Sequence, residues 1–134
     1  GIKCSDSELQ RFRSLMVSEI GGGTQDQMYN VAAVICNRVR SSQFPDTLEG
    51  VITQQGQFEG SSDPSIWTDY SAKNQEKALW IDNAIKAALQ GSQKAQSCTF
   101  FETMPLNVHE TNGNLEYVFT DNAHKYFRIK GESF

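Results

Sequence analysis

Thr24-Gln25-Asp26-Gln27-Met28-Tyr29-Asn30-Val31-Ala32-Ala33-Val34-Ile35-Cys36-Asn37-Arg38-Val39-Arg40 is the stretch whose reading decides the fold. Thr24, with Gln27 three residues on, has the form of a capping box: the hydroxyl accepts from the third backbone N–H while the glutamine side chain reaches back. Behind that start, Val31 to Cys36 is apolar on every face rather than along one stripe. A helix of that kind is stable in water only when other elements enclose it, so this one belongs at the centre of the core.

The flanking sequence supplies those elements. On the N-terminal side Ser5 and Glu8 repeat the capping-box spacing, and Leu9, Phe12, Met16 and Ile20 recur with helical period, which predicts a helix over 7–20 ended by Gly21-Gly22-Gly23. On the C-terminal side Pro45 interrupts the pattern, and Leu48, Val51 and Ile52 predict a short helix that stops near Gln54-Gln55-Gly56-Gln57-Phe58. The segment 59–70, with Gly60, Ser61, Ser62, Asp63 and Pro64 in a row, reads as a surface loop carrying Trp67 and Tyr70. Ala78, Ile81, Ile85, Ala88 and Leu89 predict a helix over 72–90 capped by Gly91. Beyond it lie short β-prone runs, Cys98-Thr99-Phe100-Phe101, Tyr117-Val118-Phe119 and Tyr126-Phe127-Arg128-Ile129, separated by turn signals such as Asn112-Gly113. The expectation is an α+β fold, mainly helical, with a small antiparallel β-sheet in the C-terminal third. Residues 1–134 read as a single domain without linker or internal repeat.

Composition narrows the function. A net charge of −4 and a pI near 5.1 argue against nucleic acid as a partner, because phosphate binding needs clustered Lys and Arg. No run of apolar residues is long enough to insert into a membrane. Cys4, Cys36 and Cys98 lack metal-ligand spacing and allow at most one disulfide.

One residue breaks its own pattern. At about 100° per residue Glu19 falls within about 20° of Phe12 and between Leu15 and Met16, which sets a carboxylate inside the apolar stripe of the first helix. In one reading the stripe has run out and Glu19 reaches water. In the other its apolar neighbours and the negative end of the helix dipole both disfavour ionisation, and a raised carboxyl pKa is what a general acid needs near neutrality. The three glycines that follow either let a bulky ligand approach the helix end or serve as a flexible connector.

Taken together, Ser18-Glu19-Ile20-Gly21-Gly22, Asn30 to Val39, Phe44-Pro45-Asp46-Thr47 and Gln54-Gln55-Gly56-Gln57-Phe58 resemble the cell wall hydrolase family that includes bacterial spore cortex-lytic enzymes. Thr99-Phe100-Phe101 is similar to an aromatic strand that follows in that family. The resemblance implies a lysozyme-like fold and cleavage of peptidoglycan glycan strands between N-acetylmuramic acid and N-acetylglucosamine, often by lytic transglycosylation, in the cell wall or spore cortex or after delivery by a phage. It also implies that Glu19 is the catalytic glutamate. The chain departs from the family where Gly21 to Gly23 replace an acidic or polar residue, and where Gly131-Glu132-Ser133-Phe134 lacks a histidine, so substrate preference can differ.

On this reading Gln54 and Gln57 would offer amides to sugar hydroxyls and acetamido groups, and Phe58, Trp67, Tyr70 and Phe101 flat faces to pyranose rings, with Tyr29 near the glycine loop. A hydrolase would need a second carboxylate, for which Glu59, Asp63 and Asp69 are the candidates; a transglycosylase would not. No cofactor is expected, the chain is expected to act as a monomer, and wall targeting would fall to a separate domain or protein. Three rivals stand beside it: a zinc hydrolase built on His109-Glu110 and His124, a thiol amidase using Cys36, and a peptidoglycan-binding module without catalysis.

Overall fold

The computed structural model describes residues 1–54, 63–104 and 109–134. Among the described residues five α-helices precede a three-stranded sheet: α1 (Asp6–Ile20), α2 (Gln25–Arg40), α3 (Leu48–Thr53), α4 (Pro64–Lys73), α5 (Gln75–Gln90), then β1 (Phe100–Thr103), β2 (Leu115–Thr120) and β3 (His124–Ile129). The sheet is antiparallel with strand order β1-β3-β2, so the last strand lies in the middle. This is the mainly helical α+β arrangement that the sequence predicts.

Both capping boxes form. The Ser5 hydroxyl accepts from the Glu8 N–H while the Glu8 carboxylate accepts from the Ser5 N–H, and Thr24 and Gln27 do the same at the head of α2. From that start α2 runs through the centre: Val31, Ala32, Ala33, Val34, Ile35 and Cys36 are all fully buried. It packs against α5, α1, α3 and β1. Burying a Val or Ile side chain contributes about 1.5–3 kcal/mol, so this one run anchors the fold. α5 ends at Gly91, whose φ of 82° is the left-handed conformation that glycine adopts without strain.

The structure overturns two expectations. Trp67 and Tyr70 lie on a helix, α4, and not in a surface loop. Asp63 and Pro64, read as turn residues, start that helix: the Asp63 carboxylate accepts from the Ser65 N–H and hydroxyl, and Pro64 occupies the first turn, where no N–H is required. The helix predicted over 72–90 starts later, at Gln75, because Asn74, with a φ of −134°, ends α4 and begins α5.

At the far end of α2, Asn37 and Arg38 clamp the segment that leads into the sheet. Ala95, Gln96 and Ser97 all have positive φ, a conformation that costs non-glycine residues energy. Asn37 holds this turn from inside the core, its amide donating to the carbonyls of Lys94 at 2.6 Å and Cys98 at 2.9 Å. Replacing Asn37 by Ala leaves both carbonyls without that donor, and we expect a loss of about 3 kcal/mol in chemical denaturation. A loss below about 1 kcal/mol would show that the turn holds itself.

Candidate active site

Glu19 sits half-buried on the last turn of α1, next to the buried Ile20. The glycine loop then turns the chain into α2. Gly21 and Gly23 are required by packing: a Cβ on Gly21 would lie 2.6 Å from the Val17 carbonyl, and one on Gly23 would lie 2.7 Å from the Gln27 side chain and 2.8 Å from Ile20. Gly22 differs, because a Cβ there would meet nothing within 4 Å. Two of the three glycines thus serve close packing at the helix end, and one leaves space. The Tyr70 hydroxyl donates to the Gly21 carbonyl at 2.7 Å, fixing the loop against α4.

The residues that sequence assigns to substrate fall in several places. Gln54 caps the C-terminal end of α3, and its buried side-chain oxygen has no hydrogen-bond partner among the described residues. An unpaired buried acceptor costs about 1–3 kcal/mol, which a donor from a ligand would offset. Tyr29 is half-buried on α2 against the main core, and Phe101 is half-buried on β1, its ring 4.6 Å from that of His124. Trp67 stacks beside Tyr70 and under the Arg13 guanidinium, 5.1 Å from its ring. Arg13 lies about 120° round α1 from Glu19, so Trp67 braces the other side of the helix. Gln57, Phe58 and Glu59 lie outside the described residues. Of the other candidate carboxylates, Asp63 caps α4, which holds its pKa below the usual range, and Asp69 is exposed on the same helix.

Asp121 is a half-buried junction that the sequence reading missed. Its carboxylate accepts from Asn30 at 3.0 Å, from the Tyr126 hydroxyl at 2.7 Å, and from the N–H groups of Ala123 and His124, both at 2.8 Å. It thereby ties the early turns of α2 to the β2–β3 connection. Thr120-Asp121-Asn122 carries a turn signal, but nothing in it says that an asparagine of α2 comes to meet it. Burial alone would raise the Asp121 pKa; the four hydrogen bonds outweigh it and hold the group below its ordinary value of 3.8. His124 is shifted down from 6.5, chiefly because burial disfavours its charged form, with Asp121 acting the other way. Both shifts act in the same direction. As pH falls below about 6.5 the unfolded chain binds a proton at His124 that the folded chain resists, and below about 3.8 Asp121 must give up its hydrogen-bonded charge. Stability should fall in both windows. Asp121→Asn should flatten the lower window and, by removing the charge that favours protonated His124, enlarge the upper one, as read from denaturant midpoints across pH; an unchanged lower window would mean that the junction carries no linkage.

The geometry also weighs the rivals. His109 packs on Phe100 and Phe127, whereas His124 packs on Phe101 and Tyr126. Neighbouring residues alternate across a sheet, so the two histidines lie on opposite faces and do not share a metal. Glu110 is paired with Lys125 at 2.6 Å. Cys36 is fully buried and its thiol is pushed up to about 12, which leaves no thiolate for an amidase.

A family model described as Cell Wall Hydrolase matches residues 22–134. The chain belongs to the cell wall hydrolase family. The match begins at Gly22, so Glu19 lies just outside it. The chain is 35% identical over 75 residues to a spore cortex-lytic enzyme of Oceanobacillus iheyensis, an alignment covering 56% of this chain and 27% of that protein's length. Its fold is similar to the catalytic domain of the germination-specific lytic transglycosylase SleB from Bacillus anthracis, with a TM-score of 0.71 at 23% identity over 91% of this chain and 94% of the other. The catalytic domain of the Bacillus cereus SleB protein is similar too, with a TM-score of 0.69 at 20% identity over 92% and 91% of the two chains. This cell wall hydrolase therefore shares an architecture with catalytic domains, and Glu19 closes the helix that leads into its family-matched region.

Proposed function

We propose that this cell wall hydrolase is a peptidoglycan-degrading enzyme that cuts the glycan strand between N-acetylmuramic acid and N-acetylglucosamine, with Glu19 as its general acid and base. The observation that carries this reading is a half-buried carboxylate on the core-facing stripe of α1, in a chain of this family. Glu19 delivers its proton to the glycosidic oxygen as the bond to the anomeric carbon breaks, and the substrate's acetamido group stabilises the sugar cation that develops. The 6-hydroxyl of the same sugar then attacks that carbon and gives its proton to the Glu19 carboxylate, closing a 1,6-anhydro ring and restoring the acid.

Transglycosylation is favoured over hydrolysis because the described candidates for a second carboxylate are otherwise placed: Asp63 caps α4 and Asp69 faces solvent. Gln54, whose amide oxygen has no partner among the described residues, is the polar group best suited to a substrate N–H, and Tyr29 and Phe101 the aromatic ones. The names of the relatives support action on the cell wall or spore cortex. The chain acts as one catalytic unit, a monomer, with wall targeting left to another module. Mass spectrometry of the soluble products from purified peptidoglycan tests this. Glycans ending in 1,6-anhydromuramic acid are expected; reducing ends carrying added water would mean a hydrolase, and no products would leave a binding module.

A further inference from the structure

Lys77 and Trp80 have no role in the chemistry above. Three residues apart on α5, they share one face of the helix. With Gly22, Gly23 and the first residues of α2, Thr24 to Asp26, they line an open groove of about 500 Å³. Trp80 is half-buried: it packs against the core and also presents surface to the groove, as a ring that receives a sugar must. The Lys77 ammonium reaches the Gly22 carbonyl only at 3.5 Å, which leaves it donors to spare. Gly22 completes the picture. Neither packing nor a positive φ requires glycine there, and as a lining residue it leaves open space beside the groove. Gly22 follows Glu19 by three residues.

We propose that the groove is a further glycan subsite, in which a pyranose of the strand stacks on Trp80 and Lys77 pairs with a carboxylate carried by the peptide stem of a neighbouring muramic acid. Asp26 also lines the groove and disfavours an anion beside it, which leaves Lys77 as the lining group that takes the carboxylate. The inference deepens the reading of Glu19 as the acid and rests on it.

Kinetics on soluble glycan strands, with and without their peptide stems, provide the test. Trp80→Ala should raise KM about tenfold and Trp80→Phe should recover most of that, with the loss falling on KM and not on kcat. Gly22→Val, whose Cβ meets no other residue, should raise KM similarly by adding bulk to the groove lining, and it decides the matter should Trp80→Ala not fold. Lys77→Glu should weaken strands that carry stems more than strands stripped of them. Binding of strands to a Glu19→Gln, Trp67→Phe double variant, followed by Trp80 fluorescence, should quench the remaining indole. Unchanged KM in Gly22→Val together with unchanged fluorescence would overturn the subsite while leaving the catalytic reading intact. Cleavage that survives Glu19→Gln would overturn the catalytic reading instead.

Discussion

Glu19→Gln is expected to reduce glycan cleavage at least about a thousandfold, which corresponds to about 4 kcal/mol of lost transition-state stabilisation. The amide keeps the size and shape of the carboxyl and removes only the transferable proton. Folding stability and strand binding should therefore remain near the wild-type level. Thermal melts of the variant, binding to insoluble peptidoglycan and product analysis by mass spectrometry separate the two effects. A variant that folds, binds and still cleaves within tenfold of wild type would move the acid elsewhere, most directly to a carboxylate of 59–69. A variant that melts early would instead make Glu19 a structural residue of the helix end.

Arg38→Ala should produce the largest loss of stability from a single polar residue. Arg38 is 4% exposed, its guanidinium lies 4.7 Å from the Phe44 ring and 4.9 Å from the Phe100 ring, and its Nε donates to the Thr99 carbonyl at 2.7 Å. Burial brings its pKa down to about 10, so it remains a cation at neutral pH and the surrounding rings and carbonyl must offset its lost hydration. Truncation removes two cation–π contacts, leaves the Thr99 carbonyl without that donor and opens a void between two aromatic side chains. We expect about 4 kcal/mol, or roughly 15 °C in Tm for a chain of this size. Arg38→Lys should recover less than half, because an ammonium keeps the charge but lacks the flat face that stacks between rings. A Tm change below about 3 °C for Arg38→Ala would mean that β1 docks on α2 without it.

Asn37 and Arg38 show how far a linear motif can be read. In sequence, Asn37-Arg38-Val39 is part of a pattern that resembles a family. In the structure Asn37 and Arg38 hold the entry to the sheet, one through a strained turn and one through stacked rings. The sequence states that polar residues end the apolar run of α2, but their partners at 94–100 lie some sixty positions away.

Helix starts were legible because capping is local: Ser5 with Glu8 and Thr24 with Gln27 satisfy their own backbone within four residues, and no distant contact alters that geometry. The buried centre was legible for a similar reason, since a helix apolar on every face has one destination. α4 was not. Its few apolar residues, Ile66, Trp67 and Tyr70, follow a run that reads equally as turn and as helix start, and packing against α1 selects the helix. The glycine run was ambiguous in the same way, and only the neighbours of each position separate Gly21 and Gly23, which packing demands, from Gly22, which it does not.

By itself the sequence determined the two capped helices, the second of them central, the small sheet that follows, and the out-of-place carboxylate at Glu19, because each is written in residues within a turn or two of one another. Tertiary structure alone decided that Trp67 braces the far side of α1, that Asp121 meets Asn30 and Tyr126, and that Trp80 opens onto the groove beside Gly22. Those outcomes depend on which surfaces of separate helices and strands are brought together. Periodicity tells which face of an element is apolar, but which partner covers that face, and what it leaves open, is set by packing across the whole chain.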